Sequence, residues 1–168
     1  MRVINVLVRL ALFVFLVGVF SVTAQGQAVF SVTSADLQLG ESGIFEVRLS
    51  CGEVRCGLIA VTLSFDPTLI KANEITLGTA LGDPARGEVI IAESEVDNET
   101  GEIRFAAAVI GTPDASSSDL LFTVEVEGLR DGSTSIHAAR LEVGDLRAVP
   151  LTVDRLDGML TVGSASPG

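Results

Sequence analysis

The chain has 168 residues, with 22 acids against 11 bases, one His, two Cys, and neither Trp nor Tyr. A formal charge of −11 repels nucleic-acid phosphates and anionic lipid, which excludes binding by phosphate neutralisation. One His and two Cys leave almost no material for a His-based triad or a multi-ligand zinc site, and 48% apolar content excludes wholesale disorder.

Arg2 and Arg9 precede an apolar run, Leu10 to Phe20, which leads into Ser21-Val22-Thr23-Ala24. A basic start, a short apolar stretch and small residues at its end describe a secretory signal peptide. Residues 1–24 are expected to be removed after Ala24, with Ala28 the second choice, leaving one domain over 25–168. The rival reading is an uncleaved anchor, but the run is short for a bilayer that needs ~20 apolar residues. Cleavage removes two bases and no acid, so the remainder is more acidic still. The expected location is extracellular, in solution or at a cell surface.

Export decides the reading of Cys51 and Cys56. In an oxidising compartment the pair is expected to form a disulfide around Gly52-Glu53-Val54-Arg55. A redox site would use Cys-x-x-Cys, and zinc would require further ligands close by.

Beyond Gly40-Glu-Ser-Gly43, apolar residues recur with period two. Phe45, Val47 and Leu49 form one row, and Ile59, Val61, Leu63 and Phe65 a second. Ile103, Phe105, Ala107 and Val109 form a third, and Phe122, Val124 and Val126 a fourth. Each row predicts a strand with one face in a core. Turn signals separate them, among them Asp66-Pro67, Asp83-Pro84, Gly111-Thr-Pro113, Arg130-Asp-Gly132 and Asp157-Gly158. The pattern predicts an all-β, antiparallel β-sandwich. Asp97-Asn-Glu-Thr-Gly101, between Glu88–Val96 and Glu102–Ile110, predicts a hairpin with Gly101 at positive φ. Pro67 to Ala72 is expected to form a short helical turn capped by Asp66.

Three segments follow in order: Gly40-Glu-Ser-Gly43 leading into Phe45-Glu-Val-Arg-Leu49, then Gly57 to Ile70 with its Phe65-Asp-Pro67 turn followed by Glu74-Ile-Thr-Leu-Gly78, and Asp157-Gly-Met-Leu-Thr-Val162. Together they resemble the cohesin family. The resemblance covers about residues 28–163. It implies a jelly-roll sandwich of about nine strands, no catalytic residues, and docking to a dockerin-type module of another extracellular protein, with a link to polysaccharide degradation. Mapped onto this chain, the docking face is the outward row Leu58, Ala60, Thr62 and Ser64, beside Arg104, Ala106 and Ala108, with Ile110 at the end. Read without the family, this row is also unusual, because a solvated strand face normally carries long polar side chains. Glu93 and Glu95 stand next to it, either flanking a docking site or guarding a sheet edge.

Two alternatives remain: a carbohydrate-binding module of the same fold, and a structural surface sandwich with no ligand. Sugar platforms stack on exposed Trp or Tyr, which this chain lacks, and Phe30, Phe45, Phe65, Phe105 and Phe122 all fall in expected strands. His137 has no nucleophile motif beside it, and neither Asp97–Gly101 nor Asp154–Gly158 has EF-hand spacing. No enzyme activity, cofactor or metal is expected.

Overall fold

Alternating apolar and polar residues make a strand amphipathic, and two such faces bury one another. A computed structural model describes residues 27–112 and 118–164; the expected signal peptide lies outside them. The strands are β1 (Gln27–Val32), β2 (Ala35–Gln38), β3 (Ser42–Ser50), β4 (Cys56–Ser64), β5 (Ile70–Leu77), β6 (Val89–Asp97), β7 (Glu102–Val109), β8 (Leu120–Gly128), β9 (Gly132–Asp145), β10 (Thr152–Leu156) and β11 (Gly158–Gly163). They form two sheets, ordered β10-β1-β3-β8-β5 and β2-β11-β9-β4-β7-β6. All four apolar rows face the space between them. Their largest members, Phe45, Phe105, Phe122, Ile59 and Leu63, are fully buried. Phe105 and Phe122 meet across the two sheets with ring centroids 4.7 Å apart and planes tilted by 41°.

The sandwich has eleven strands rather than about nine, and it is not wholly antiparallel. Near each end the chain breaks once and passes from one sheet to the other, so β1 pairs parallel with β10 and β2 parallel with β11. Side chains hold these breaks. Thr33 Oγ1 accepts from the Glu46 N–H at 2.8 Å, and Ser34 Oγ accepts from the Met159 N–H at 3.0 Å.

The helical turn expected over Pro67–Ala72 is a plain turn, with strand β5 starting at Ile70. Asp66 does cap it: one carboxylate oxygen accepts from the Thr68 N–H at 2.8 Å and the Thr68 hydroxyl at 2.7 Å. Pairing of Ile70 and Lys71 with β8 ends the turn before a helix can form. The Asp83-Pro84 turn signal opens a three-residue 3-10 turn, Pro84–Arg86.

The hairpin closes as expected. Gly101 has φ 73, and its N–H donates to the Asp97 carbonyl at 3.0 Å. Only a residue free of Cβ strain sits there readily. Asn98 in the same turn clamps β5, its Oδ1 accepting from the Ala72 N–H at 2.9 Å and its Nδ2 donating to the Ala72 carbonyl at 2.7 Å. The clamp joins the edges of the two sheets. Cys51 and Cys56 form a disulfide with Cα atoms 5.8 Å apart, stapling the crossing from β3 to β4. A ring this small contributes about 2 kcal/mol.

Candidate functional site

With Ile59, Val61 and Leu63 turned inward, β4 must turn Leu58, Ala60, Thr62 and Ser64 outward. The same alternation on β7 turns out Arg104, Ala106 and Ala108. Register then sets Leu58 opposite Ala108, Ala60 opposite Ala106, Thr62 opposite Arg104 and Ser64 opposite Glu102. The row expected from sequence is one continuous surface. Ala108 is exposed and the others are half-buried, and Ile110 beyond them is 48% exposed.

Strands on either side extend it. On β6, Ile90 stands opposite Ala108, Glu93 opposite Ala106, and Glu95 opposite Arg104. On β9, Gly144 stands opposite Leu58, Glu142 opposite Ala60, Arg140 opposite Thr62, and His137 opposite Ser64. A Cβ at Gly144 would lie 3.0 Å from Leu58 Cγ, so glycine leaves Leu58 room to lie flat. The surface is apolar at its Leu58 end, floored by alanine in the middle, and charged at its Ser64 end.

The contribution of β9 was missed in the sequence. A bulge between Ala138 and Arg140 puts Thr134, Ile136 and Ala138 in one phase and Leu141 and Val143 in the other. Period-two reading breaks at that point. The polar phase of Ser133, Ser135 and His137 was the available signal. His137 is exposed on this surface.

The charges pair unequally. Arg140 donates to Glu142 at 2.8 Å. Arg104 is held by Glu102 at 2.5 Å and reaches Glu95 only at 3.9 Å. Among the described residues Glu93 makes no ion pair. Its charge is nonetheless felt on both sides. The hydrogen bond to Glu142, then the Glu142 charge, raise the pKa of Arg140, and Glu93 adds to this across the alanine floor. Arg104 is raised first by its hydrogen bond to Glu102 and more weakly by Glu95 and Glu93.

A cavity of about 250 Å³ lies beside the disulfide, lined by Leu49, Arg55, Leu81 and Asp119 among others, and none of the row residues lines it. The row is a broad surface, which suits a macromolecule better than a small molecule. Among the described residues no group of three or more His, Cys, Asp and Glu could hold a metal ion. Asp97 instead closes its turn, one oxygen accepting from the N–H groups of Glu99 at 2.9 Å and Thr100 at 3.1 Å.

No family model matches the chain, and no curated protein matches it either. Solved structures do. The seventh ScaB type I cohesin from Pseudobacteroides cellulosolvens superposes with a TM-score of 0.70 at 11% identity, covering 84% of this chain and 95% of that one. The fold is that of a cohesin module. A non-cellulosomal cohesin from the archaeon Archaeoglobus fulgidus gives 0.66 at 17% identity over 82% of this chain and 92% of the other. A chain of the Coh-OlpC–Doc435 type I cohesin–dockerin complex from Clostridium thermocellum gives 0.69 at 13% identity over 85% and 97%. Identities this low establish the cohesin fold and leave the partner to be argued from this chain's own surface.

Proposed function

We propose that the protein is a non-catalytic docking module of cohesin type, binding a dockerin-type module through the outer face of β4 and β7. The observation that carries the reading is the alanine floor, Ala60 beside Ala106 with Ala108 and Leu58 adjoining, on a fold whose solved neighbours include cohesin–dockerin complexes. A contiguous small apolar surface on an acidic protein fits a partner better than it fits water. The reading carries an extracellular location, supported by the disulfide, and partners among exported proteins, polysaccharide-degrading enzymes included. Sugar stacking has little support, since Phe30, Phe45, Phe65, Phe105 and Phe122 are all buried.

The test is calorimetric titration with recombinant dockerin modules, with and without a calcium chelator. At least one is expected to bind, with chelator abolishing binding through the dockerin. Ala108→Arg is expected to weaken it about 30-fold, the scale of a buried hot spot. Binding that is indifferent to Ala108→Arg places the docking face elsewhere, and no binding by any dockerin rejects the partner class.

A further inference from the structure

The cavity beside the disulfide lies apart from the alanine row and is built where three segments meet at one end of the sandwich. They are the crossing from β3 to β4, residues 80–81 beyond β5, and Ser118 with Asp119 ahead of β8. Backbone bonds join two of these walls to β3 and β8. The Leu49 N–H donates to the Asp119 carbonyl at 2.7 Å, and the Ala80 N–H to the Leu120 carbonyl at 2.9 Å. The crossing is shaped by the Val54 N–H donating to the Cys51 carbonyl at 3.1 Å and by the Cys51–Cys56 disulfide. A chain of 168 residues can bury a core without a staple. A staple placed on this crossing fixes the shape of a cavity wall, and a preformed wall lowers the ordering cost of binding.

The lining selects the ligand. Buried Leu49 and Leu81 give the cavity an apolar base, while Ser50, Arg55, Ser118 and Asp119 line the same space. Asp119 is a fixed acceptor, because Arg48 donates to its Oδ1 and is itself held by Glu46 at 2.6 Å. Arg55 and Asp119 bring both signs of charge to one small volume, so charge favours neither an anion nor a cation. The net charge of −11 opposes an anion further. Hydroxyl groups donate and accept alike, which suits a lining of serine, arginine and carboxylate, and a ring's C–H groups suit the leucines. The volume of about 250 Å³ holds several waters but falls below a drug-sized pocket, which limits the ligand to about one sugar ring. We propose that this cavity binds a small neutral hydroxylated ligand, a single sugar ring held by hydrogen bonds around its edge. The lack of Trp and Tyr counts against an open stacking platform and leaves an enclosing site of this kind untouched.

The test titrates the isotope-labelled protein with glucose, galactose, mannose and xylose, and with glucuronate and glucosamine as charged counterparts, following amide resonances. At least one neutral sugar is expected to give saturable shifts centred on Ser50–Cys56, Ala80–Leu81 and Ser118–Asp119, with a Kd on the order of 1 mM. The charged counterparts should bind about tenfold more weakly. Val54→Trp fills the cavity and is expected to abolish binding, and Asp119→Ala to weaken it about tenfold by removing a charge-assisted hydrogen bond. Cys51→Ser with Cys56→Ser should weaken it about fivefold, because the wall is then no longer preformed. Each variant is checked for a cooperative melt, and Ala108→Arg, which alters the docking face instead, should leave sugar binding unchanged. No saturable shift with any neutral sugar overturns the site. Binding that survives both Val54→Trp and Asp119→Ala, or is lost with Ala108→Arg, places the sugar elsewhere and overturns it too. Tighter binding of glucuronate or glucosamine overturns the ligand class. All of these outcomes leave the docking reading standing, because that reading rests on other residues.

Discussion

On the outside of β3, β8 and β5, register places Ile44 and Glu74 beside Glu125, Glu46 and Thr76 beside Thr123, and Lys71 beside Glu127. On the outside of β7 and β4, the equivalent positions hold Ala106 beside Ala60 and Ala108 beside Leu58. Both sheets bury the same kinds of side chain, Phe, Val, Ile and Leu, so the sandwich itself does not account for the difference. Threonine suits a half-buried pleat, and charges keep a solvated face in water, whereas alanine contributes little to strand stability. An alanine row is therefore not what folding alone favours, and the docking proposed above would supply a reason for it.

The largest test of this division uses two adjacent residues of β7. Phe105→Ala opens the centre of the core and is expected to destabilise by about 3–5 kcal/mol in urea unfolding. Ala106→Arg is a bulkier chemical change but points outward, and is expected to shift stability by less than about 0.5 kcal/mol while abolishing docking. Thr123→Arg, outward on the other sheet, should alter neither strongly. Comparable destabilisation by Ala106→Arg and Phe105→Ala would mean that another part of the protein covers the alanine face.

A smaller effect probes the stability side. Ala60→Thr with Ala106→Thr replaces poor strand formers on an outward row, and is expected to raise stability by up to about 1 kcal/mol. The proposed docking should weaken at the same time, because two methyl–hydroxyl pairs would hold a partner off the floor. Thr123→Ala on the opposite face should do the reverse to stability and nothing to docking. Thermal melts and dockerin titration of the three proteins check this.

The contrast between the faces was partly legible in the sequence, for a physical reason. Wherever a strand is regular, an inward Phe105 dictates an outward Ala106, so β4 and β7 could be read to the residue. A regular alternation also identified four of the buried phenylalanines, Phe45, Phe65, Phe105 and Phe122, but not Phe30. The charged wall on β9 could not be read, because the bulge at Ala139 reverses the phase within one strand. That Glu93 makes no ion pair among the described residues was equally hidden, since it depends on where Arg104 and Arg140 send their guanidinium groups, and those are set by neighbours on β7 and β9. The splitting of the terminal strands between sheets left no mark beyond the ordinary residues Thr33, Ser34 and Asp157.

The smallest predicted effect compares the two ends of β4, which bound the alanine floor. One end begins at Cys56, held covalently. The other ends against two carboxylate-closed turns, where the Phe65 N–H donates to the Gly101 carbonyl at 2.9 Å. The Thr68 hydroxyl, then the Thr68 N–H, hold the Asp66 carboxyl below its usual range. The Thr100 N–H is the largest cause of the same lowering at Asp97. A carboxyl with a depressed pKa in the folded state binds its proton more readily when unfolded. Its stabilisation is thus fully present above the ordinary value of about 3.9 and is lost as pH falls through the folded value. Tm is expected to fall between pH 5 and pH 2, and Asp66→Asn with Asp97→Asn should lower Tm at pH 5 while flattening that fall. Hydrogen exchange at low pH should open the Asp66 and Asp97 turns before the Cys51–Cys56 loop. If the double variant loses Tm in parallel with the wild type, the acid-sensitive groups lie elsewhere, and the charged outer face of β3 and β8, with Arg48 tied to Glu46 and Asp119, becomes the place to look.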